Sequence, residues 1–207
     1  DEGQVYLLGE HTTFQQGAMA EPVACCLHGI DMCGIQPGHQ VVVIGGGMIG
    51  LLMVQLARLA GAARIALVEP VESKRMTGKA LGADVCIDPV HEDVKAALKA
   101  NGLCWVQAVI ECVGRPSTIS QAIEIAGPKG TVMMFGLTGP DEQIAVNPFE
   151  IFRKELELKS SYINPYTQQR ALDLIDSGRI DVSSMVVEVC GLDKLKDILS
   201  GQELRAK

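Results

Sequence analysis

The sequence has no cluster of basic residues, no C-x-x-C pair and no apolar run long enough to cross a bilayer. It holds 18 Lys and Arg against 25 Asp and Glu, and the resulting net charge of -7 argues against a nucleic-acid or anionic-membrane surface. Its longest stretch without a polar side chain, residues 41–54, has fourteen residues. About twenty are needed to span a membrane. We therefore expect a small-molecule partner, no nucleic acid and no membrane.

Seven cysteines occur without the spacing of a disulfide framework or of a zinc cluster. Their number is odd, no two are separated by two residues, and several lie in apolar segments. This pattern indicates reduced thiols in a cytoplasmic protein with no structural zinc cluster in this chain. The chain has no charged-then-apolar leader, so we expect no secretory signal. The lack of an initial methionine indicates that further residues precede residue 1 in the natural protein.

Residues 41–69 show the pattern of a nucleotide-binding strand, turn and helix. Four β-branched residues are followed by a G-x-G-x-x-G turn at Gly45, Gly47 and Gly50 and then by an apolar helical segment. In this motif Gly45 permits the sharp turn, Gly47 lets the main chain approach a pyrophosphate, and Gly50 lets the helix pack closely. The pyrophosphate then binds the unpaired N–H groups at the start of the helix.

An acidic residue, Glu69, ends the second strand nineteen positions after Gly50. A carboxylate there accepts hydrogen bonds from a ribose 2′-hydroxyl and repels a 2′-phosphate, which favours NAD over NADP. The alternative is a purely structural glycine turn. Because a strand before, a helix after and an acid at the right distance coincide, the pattern predicts a dinucleotide site.

Apolar periodicity along the chain predicts alternating strands and helices. Six alternating strands predict an α/β fold: a Rossmann doubly wound six-stranded parallel sheet with helices on both faces and strand order 3-2-1-4-5-6. Residues 1–16 are expected to be irregular or a short strand, and residues 136–148 a loop. The predicted strands cover residues 41–44, a stretch ending at 69, and residues 85–87, 105–112, 131–135 and 156–162; the predicted helices cover residues 17–33, a stretch from 48, and residues 72–81, 91–101, 116–126, 168–177 and 192–199.

Six blocks of this sequence resemble the zinc-containing medium-chain dehydrogenases, in the sorbitol (polyol) and threonine dehydrogenase branch. The resemblance implies an enzyme that uses a catalytic zinc to oxidise a secondary alcohol, a polyol or a similar small molecule, to a ketone by hydride transfer to NAD. It also implies a homo-oligomer, a dimer or tetramer, with the sixth strand or the strand before it at the subunit edge. The blocks are AEPVACCLHG (20–29), PGHQVVVIGGGMIGLL (37–52), LGADVCIDP (81–89), VIECVG (109–114), GPKGTVMMFG (127–136) and LIDSGRID (174–181).

The resemblance also implies which residues contact the cofactor. The implied contacts are the glycine turn with the amides of Met48 and Ile49 at the pyrophosphate, Glu69 and Lys74 at the adenosine ribose, Val113 and Gly114 after the fourth strand, Phe135 and Gly136 near the nicotinamide carboxamide, and Arg205 at the pyrophosphate.

Glu21 is the residue that the resemblance assigns to the catalytic zinc, as a direct or water-bridged ligand, where alcohol dehydrogenases use a cysteine. Zinc accepts carboxylate oxygen as well as thiolate. From its spacing alone, Glu21 fits an ordinary acid in the first turn of a helix, where the helix dipole favours it. The resemblance places Cys25 near the nicotinamide. His28 fits a hydrogen-bonded structural residue better than a proton relay, and Cys26 fits the core.

Three segments follow from these assignments. Residues 1–35 connect to a catalytic domain that precedes residue 1, residues 36–163 form the Rossmann NAD-binding domain, and residues 164–207 are a helical return to the catalytic domain. The chain would then hold half an active site and be inactive alone. Two alternatives stay open: a zinc-independent NADPH quinone or enoyl reductase of the same superfamily, and a non-catalytic NAD-sensing module.

Overall fold

A computed structural model describes residues 5–186 and 188–200, and it contains the predicted six-stranded parallel sheet. The strand order is β3-β2-β1-β4-β5-β6, as predicted, and every neighbouring pair is parallel. The Rossmann doubly wound fold is therefore confirmed. The strands are β1 (Gln40–Ile44), β2 (Arg64–Val68), β3 (Val85–Ile87), β4 (Val106–Glu111), β5 (Thr131–Met134) and β6 (Glu157–Ser160).

Helices connect the strands and cover both faces of the sheet. Among the described residues, no helix has both the length and the apolar character needed to cross a membrane. The helices are α1 (Phe14–Gly17), α2 (Ala20–Cys33), α3 (Met48–Leu59), α4 (Glu72–Ala80), α5 (Val94–Ala100), α6 (Pro116–Ile125), α7 (Pro148–Lys154), α8 (Gln168–Asp176) and α9 (Leu195–Leu199), with 3₁₀ turns at Ser183–Met185 and Leu192–Lys194.

Alternating side chains of the central strands form two hydrophobic cores. In β1, Val41 and Val43 pack with α2, α3 and α8 on one face, whereas Val42 and Ile44 pack with α5 and α6 on the other. Successive side chains of a strand point to opposite faces, and both faces are covered here. This explains why the central strands are continuous apolar runs rather than alternating ones.

Three local differences from the expected elements have identifiable causes. The helix α7 was not predicted, although Asn147 caps its first turn by accepting from the Phe149 amide and a proline follows at the first helical position. The short α1 starts from a capping box formed by Thr13 and Gln16, within a segment expected to be irregular or a strand. The sixth strand ends at Ser160, two residues before the expected end.

Both segments that flank the nucleotide-binding motif pack on the same core. The hydroxyl of Thr167, just before α8, donates to the Ala24 carbonyl of α2 at 2.7 Å. The buried Gln55 amide of α3 pairs with both main-chain groups of Asp181, at 3.0 and 2.8 Å. The described flanks thus belong to the packed body around the sheet, and their assignment to a preceding catalytic domain stays a prediction.

Candidate functional site

The glycine turn lies at the carboxyl end of β1, where the structure leaves room for a ligand. Gly45 has φ of +101°, a conformation that favours glycine, and a Cβ on Gly50 would lie 1.8 Å from the Gly45 carbonyl oxygen. By contrast, a Cβ on Gly47 would meet no atom within 4 Å. The close approach of Gly50 is therefore a packing requirement, whereas Gly47 borders open space.

The start of α3 faces this open space without a side-chain cap. Gly47 is the N-cap residue and supplies no side-chain acceptor, so the first N–H groups of the helix, which include those of Met48 and Ile49, have no side-chain partner. Main-chain donors at a helix start, combined with the helix dipole, form a site for a phosphate group. The residues present therefore fit a dinucleotide pyrophosphate.

Glu69 follows β2 and is almost completely buried against the same turn. Its Oε2 accepts from the Gly46 amide at 2.6 Å, and its Oε1 accepts from the Val71 amide at 2.8 Å. A carboxylate has about four acceptor positions, so each oxygen keeps capacity for a ribose hydroxyl. Lys74 is exposed and, within the described part of the chain, forms no ion pair. Glu69 thus holds the glycine turn, and its contact with a ribose stays a prediction.

The predicted contacts Val113, Gly114, Phe135 and Gly136 lie close together at the carboxyl ends of β4 and β5. Gly114 has φ of +75°, and a Cβ on it would lie 2.4 Å from the Leu137 carbonyl oxygen. A Cβ on Gly136 would lie 2.2 Å from the Gly114 amide nitrogen. The turns that contain Val113 and Phe135 are therefore in direct main-chain contact, which glycine alone permits at these two positions.

A buried carboxylate, which the sequence analysis did not identify as functional, joins these two turns. The Glu111 side chain at the end of β4 is 0% exposed and accepts from the Val113 and Gly114 amides and from the Thr118 hydroxyl. The sequence signal was available: like Glu69, Glu111 is an acid that ends an apolar strand. It was missed because an acid in that place also fits a solvated strand end.

Glu21 lies exposed in the first turn of α2, at the edge of a cavity of about 740 Å³. The Cys25 thiol donates to Glu21 Oε1 at 3.1 Å. Partial burial, together with this bond and the charge of Glu21, raises the pKa of Cys25 to about 12, so the thiol is protonated at neutral pH. Other lining residues include Tyr6, Tyr162, Asn164 and Tyr166.

Glu21 is the single carboxylate among the described residues that line this cavity. Within residues 5–186 and 188–200 no group of three or more His, Cys, Asp and Glu side chains could hold a metal ion. Among these residues Glu21 therefore does not complete a metal site, although a carboxylate is a ligand that zinc accepts, and its role at a zinc ion stays a prediction. The Phe135 ring packs against Gly29 of α2, so the helix that bears Glu21 contacts the end of β5.

The remaining predicted residues are placed as follows. Cys26 is fully buried in the core, as expected. His28 is half-buried, and the described residues offer its ring no hydrogen bond, in contrast to the expected structural bond. Arg205 lies outside the described residues, so its role at the pyrophosphate stays a prediction.

Comparisons with known proteins show the family of the chain. A family model described as zinc-binding dehydrogenase matches residues 48–177. The chain is 30% identical over 192 residues to sorbitol dehydrogenase of Gallus gallus, covering 91% of this chain and 54% of that protein. It is 28% identical over 194 residues to D-arabinitol dehydrogenase 1 of Uromyces fabae, covering 92% and 56%. The chain thus spans about half the length of these relatives.

Solved structures show the same fold. A protein assigned to the zinc-binding dehydrogenases of Sinorhizobium meliloti 1021, bound to NADP, superposes with a TM-score of 0.92 at 39% identity, over 96% of this chain and 59% of that one. The 2R,3R-butanediol dehydrogenase of Bacillus subtilis gives a TM-score of 0.90 at 26% identity, over 99% and 58%.

Proposed function

The chain belongs to the zinc-binding dehydrogenase family, and from this premise we propose that it is the NAD-binding part of an enzyme that oxidises a secondary alcohol to a ketone. The observation that carries the proposal is the open space beside Gly47 at the uncapped start of α3. Bound NAD would supply the hydride acceptor for the alcohol carbon, and the chain's own residues would bind and orient its nicotinamide ring. The relatives that act on sorbitol and arabinitol support a polyol or similar substrate.

NAD is the proposed cofactor because of Glu69. Its carboxylate is held by two main-chain amides beside the glycine turn, so its charge is fixed where a ribose would lie. A 2′-phosphate would be repelled there. NADP is the second candidate, and the NADP-bound relative of Sinorhizobium meliloti favours it. The exposed Lys74 would then be the cation available to a 2′-phosphate.

Calorimetric titration of the chain with NAD and with NADP tests this choice. We expect tighter binding of NAD, and we expect Glu69→Gln to reduce the discrimination against NADP by about tenfold or more, the order expected for a charged hydrogen bond. Glutamine keeps the size of the side chain and one acceptor for the turn. The unfolding temperature of the variant shows whether the turn survives, and Lys74→Ala shows whether this cation sets the preference. Tighter NADP binding by the unchanged chain would refute the assignment.

Glu21 is proposed as a zinc ligand of the complete enzyme, directly or through water. Bound zinc supplies Lewis acidity, which lowers the pKa of an alcohol hydroxyl. Glu21 offers its carboxylate at the edge of the cavity, and the Cys25 thiol orients that carboxylate by donating to Oε1. The tyrosines around the cavity give it amphipathic walls suited to a polyhydroxylated molecule.

Glu21→Ala in the full-length protein should lower turnover by at least about tenfold while NAD affinity changes less than about twofold, because the carboxylate acts at the reacting end of the site. Bound zinc, measured by metal analysis, should fall as well. Glu72→Ala is the matched control, since Glu72 is also an acid in a first helical turn, that of α4. Equal behaviour of the two variants would indicate that Glu21 only complements a helix dipole.

The cytoplasmic location and the homo-oligomer stay predictions. The strand β6 forms one edge of the sheet, and its residues are mostly exposed. An unpaired edge strand is a natural place for a second copy to pair.

A further inference from the structure

Glu111 is buried at the carboxyl end of the central strand β4, and no cation among the described residues pairs with it. Its side chain is 0% exposed, and within the described part of the chain it forms no ion pair with Lys, Arg or His. Burial of a carboxylate without a cation is unfavourable unless hydrogen bonds compensate it. The donors around Glu111 therefore decide what an acid does at the end of β4.

The contacts of Glu111 explain what the acid does. Oε1 accepts from the Val113 amide at 2.8 Å, the Gly114 amide at 3.0 Å and the Thr118 hydroxyl at 2.8 Å, and Oε2 lies 3.2 Å from the Gly114 amide. These bonds fix the main chain of the turn after β4. An apolar side chain cannot accept from these amides.

The same residue also fixes the turn after β5. Its main-chain carbonyl accepts from the amides of Phe135 and Gly136, both at 2.9 Å. The Glu111 side chain packs against this second turn too, because a Cβ on Gly136 would lie 2.9 Å from Oε2. One residue thus sets the relative position of two turns on neighbouring strands.

Glu69 has the corresponding place in the other half of the sheet, beyond β1. It directly follows β2 and holds the Gly46 amide, whereas Glu111 ends β4 and holds the Val113 and Gly114 amides. The switch point of the strand order lies between β1 and β4, and ligands of doubly wound sheets bind across it. Each half of that crevice is therefore organised by its own buried carboxylate.

We propose that Glu111 is a positioning residue for the nicotinamide half of the cofactor, acting through the two turns that it holds. The proposal rests on the proposed function, because it needs a dinucleotide bound across the crevice with its nicotinamide on the β4 and β5 side. Glu111 does not touch the cofactor in this scheme. It presets the main chain of Val113, Gly114, Phe135 and Gly136, so that binding need not order these turns.

The test compares NAD with AMP, which contains the adenosine half alone, by calorimetric titration of the full-length protein. Glu111→Gln keeps the shape of the side chain but replaces one acceptor oxygen by an NH₂ group that faces main-chain donors. We expect it to weaken NAD binding by about tenfold or more while AMP binding changes less than about twofold. Glu69→Gln is the control for the adenosine half of the site and should weaken the binding of AMP and of NAD together.

A second variant covers the case in which Glu111→Gln does not fold. Thr118→Val removes one hydroxyl donor to Oε1 at nearly constant volume, and we expect NAD binding to weaken about threefold with AMP binding unchanged. Equal loss of AMP and NAD affinity in either folded variant, or unchanged NAD affinity in both, would overturn the positioning role. If the unchanged protein binds neither NAD nor NADP, the proposed function itself fails. Failure of the proposed function is therefore distinguishable from failure of the positioning role.

Discussion

Replacing Gly47 with alanine separates cofactor binding from folding, because the structure leaves the added methyl group in open space. Gly47 has φ of −71° and ψ of −179°, which any L-residue adopts, and a Cβ there meets no atom within 4 Å. The methyl group would nevertheless occupy the space beside the first N–H groups of α3. A pyrophosphate at the helix start would have to move away from those donors.

Two opposing effects keep the expected change in stability small. Alanine in place of glycine at a compatible position stabilises by about 0.4–1 kcal/mol, because the unfolded chain loses freedom. At an N-cap position, however, alanine is poorer than glycine by roughly half a kcal/mol. We expect the free energy of unfolding to change by less than about 0.5 kcal/mol, or about 2 °C in unfolding temperature for a chain of this size.

The effect on affinity should be much larger. Loss of one hydrogen bond to a charged phosphate is worth about 1.5–3 kcal/mol, which corresponds to roughly tenfold to a hundredfold weaker NAD binding. Calorimetric titration with NAD measures this change, and thermal unfolding of the same sample measures the stability. Unchanged NAD affinity would show that no dinucleotide lies beside Gly47.

Gly50→Ala is the contrasting variant. Its Cβ would lie 1.8 Å from the Gly45 carbonyl oxygen, which is main chain and cannot rotate away. The turn must open, so we expect a loss of about 3 kcal/mol or more in stability together with loss of NAD binding. A Gly50→Ala protein that unfolds like the original chain would contradict the close approach seen between α3 and the turn.

Two further variants test the core. Gln55→Leu leaves the main-chain N–H and C=O of Asp181 without their partner, so urea unfolding should show that the free energy of unfolding falls by about 2 kcal/mol. The control is Gln15→Leu, at an exposed position. A fall under about 0.5 kcal/mol for Gln55→Leu would mean that water replaces the amide. Burial raises the pKa of Cys33 from 9.0 to about 12, so this thiol stabilises the fold below pH 9 and the contribution is lost as the pH rises toward 12. Cys33→Ala should therefore flatten the fall in unfolding temperature above pH 9, whereas the exposed Cys104→Ala should not, and equal slopes for both would contradict the assignment.

The strand order was predictable because the signals that specify it are local. Runs of β-branched and apolar residues mark the central strands, and helical patterns between them require parallel crossovers of one hand. The helix α7 escaped prediction because it contributes no buried residue, which leaves no apolar stripe to detect. Its start was nevertheless encoded by Asn147 and Pro148, a cap and a first-turn proline.

The end of β6 shows a different limit. Residues 156–162 read as a continuous strand, yet the strand ends at Ser160, and Ile163 and Tyr166 adopt positive φ of 60° and 61°. This conformation is rare for a β-branched or bulky side chain. No local propensity predicts it.

By itself the sequence determined the sheet, the glycine turn and the acid at Glu69, because spacing along the chain is enough to specify a strand, a turn and a helix. The tertiary structure alone decided what the two strand-ending acids do. The Glu111 side chain accepts from amides two and three residues further along the chain, whereas its main-chain carbonyl accepts from the amides of Phe135 and Gly136, more than twenty residues away. Hydrogen bonds between groups so distant in sequence form only when the strands pair, so no sequence pattern records them.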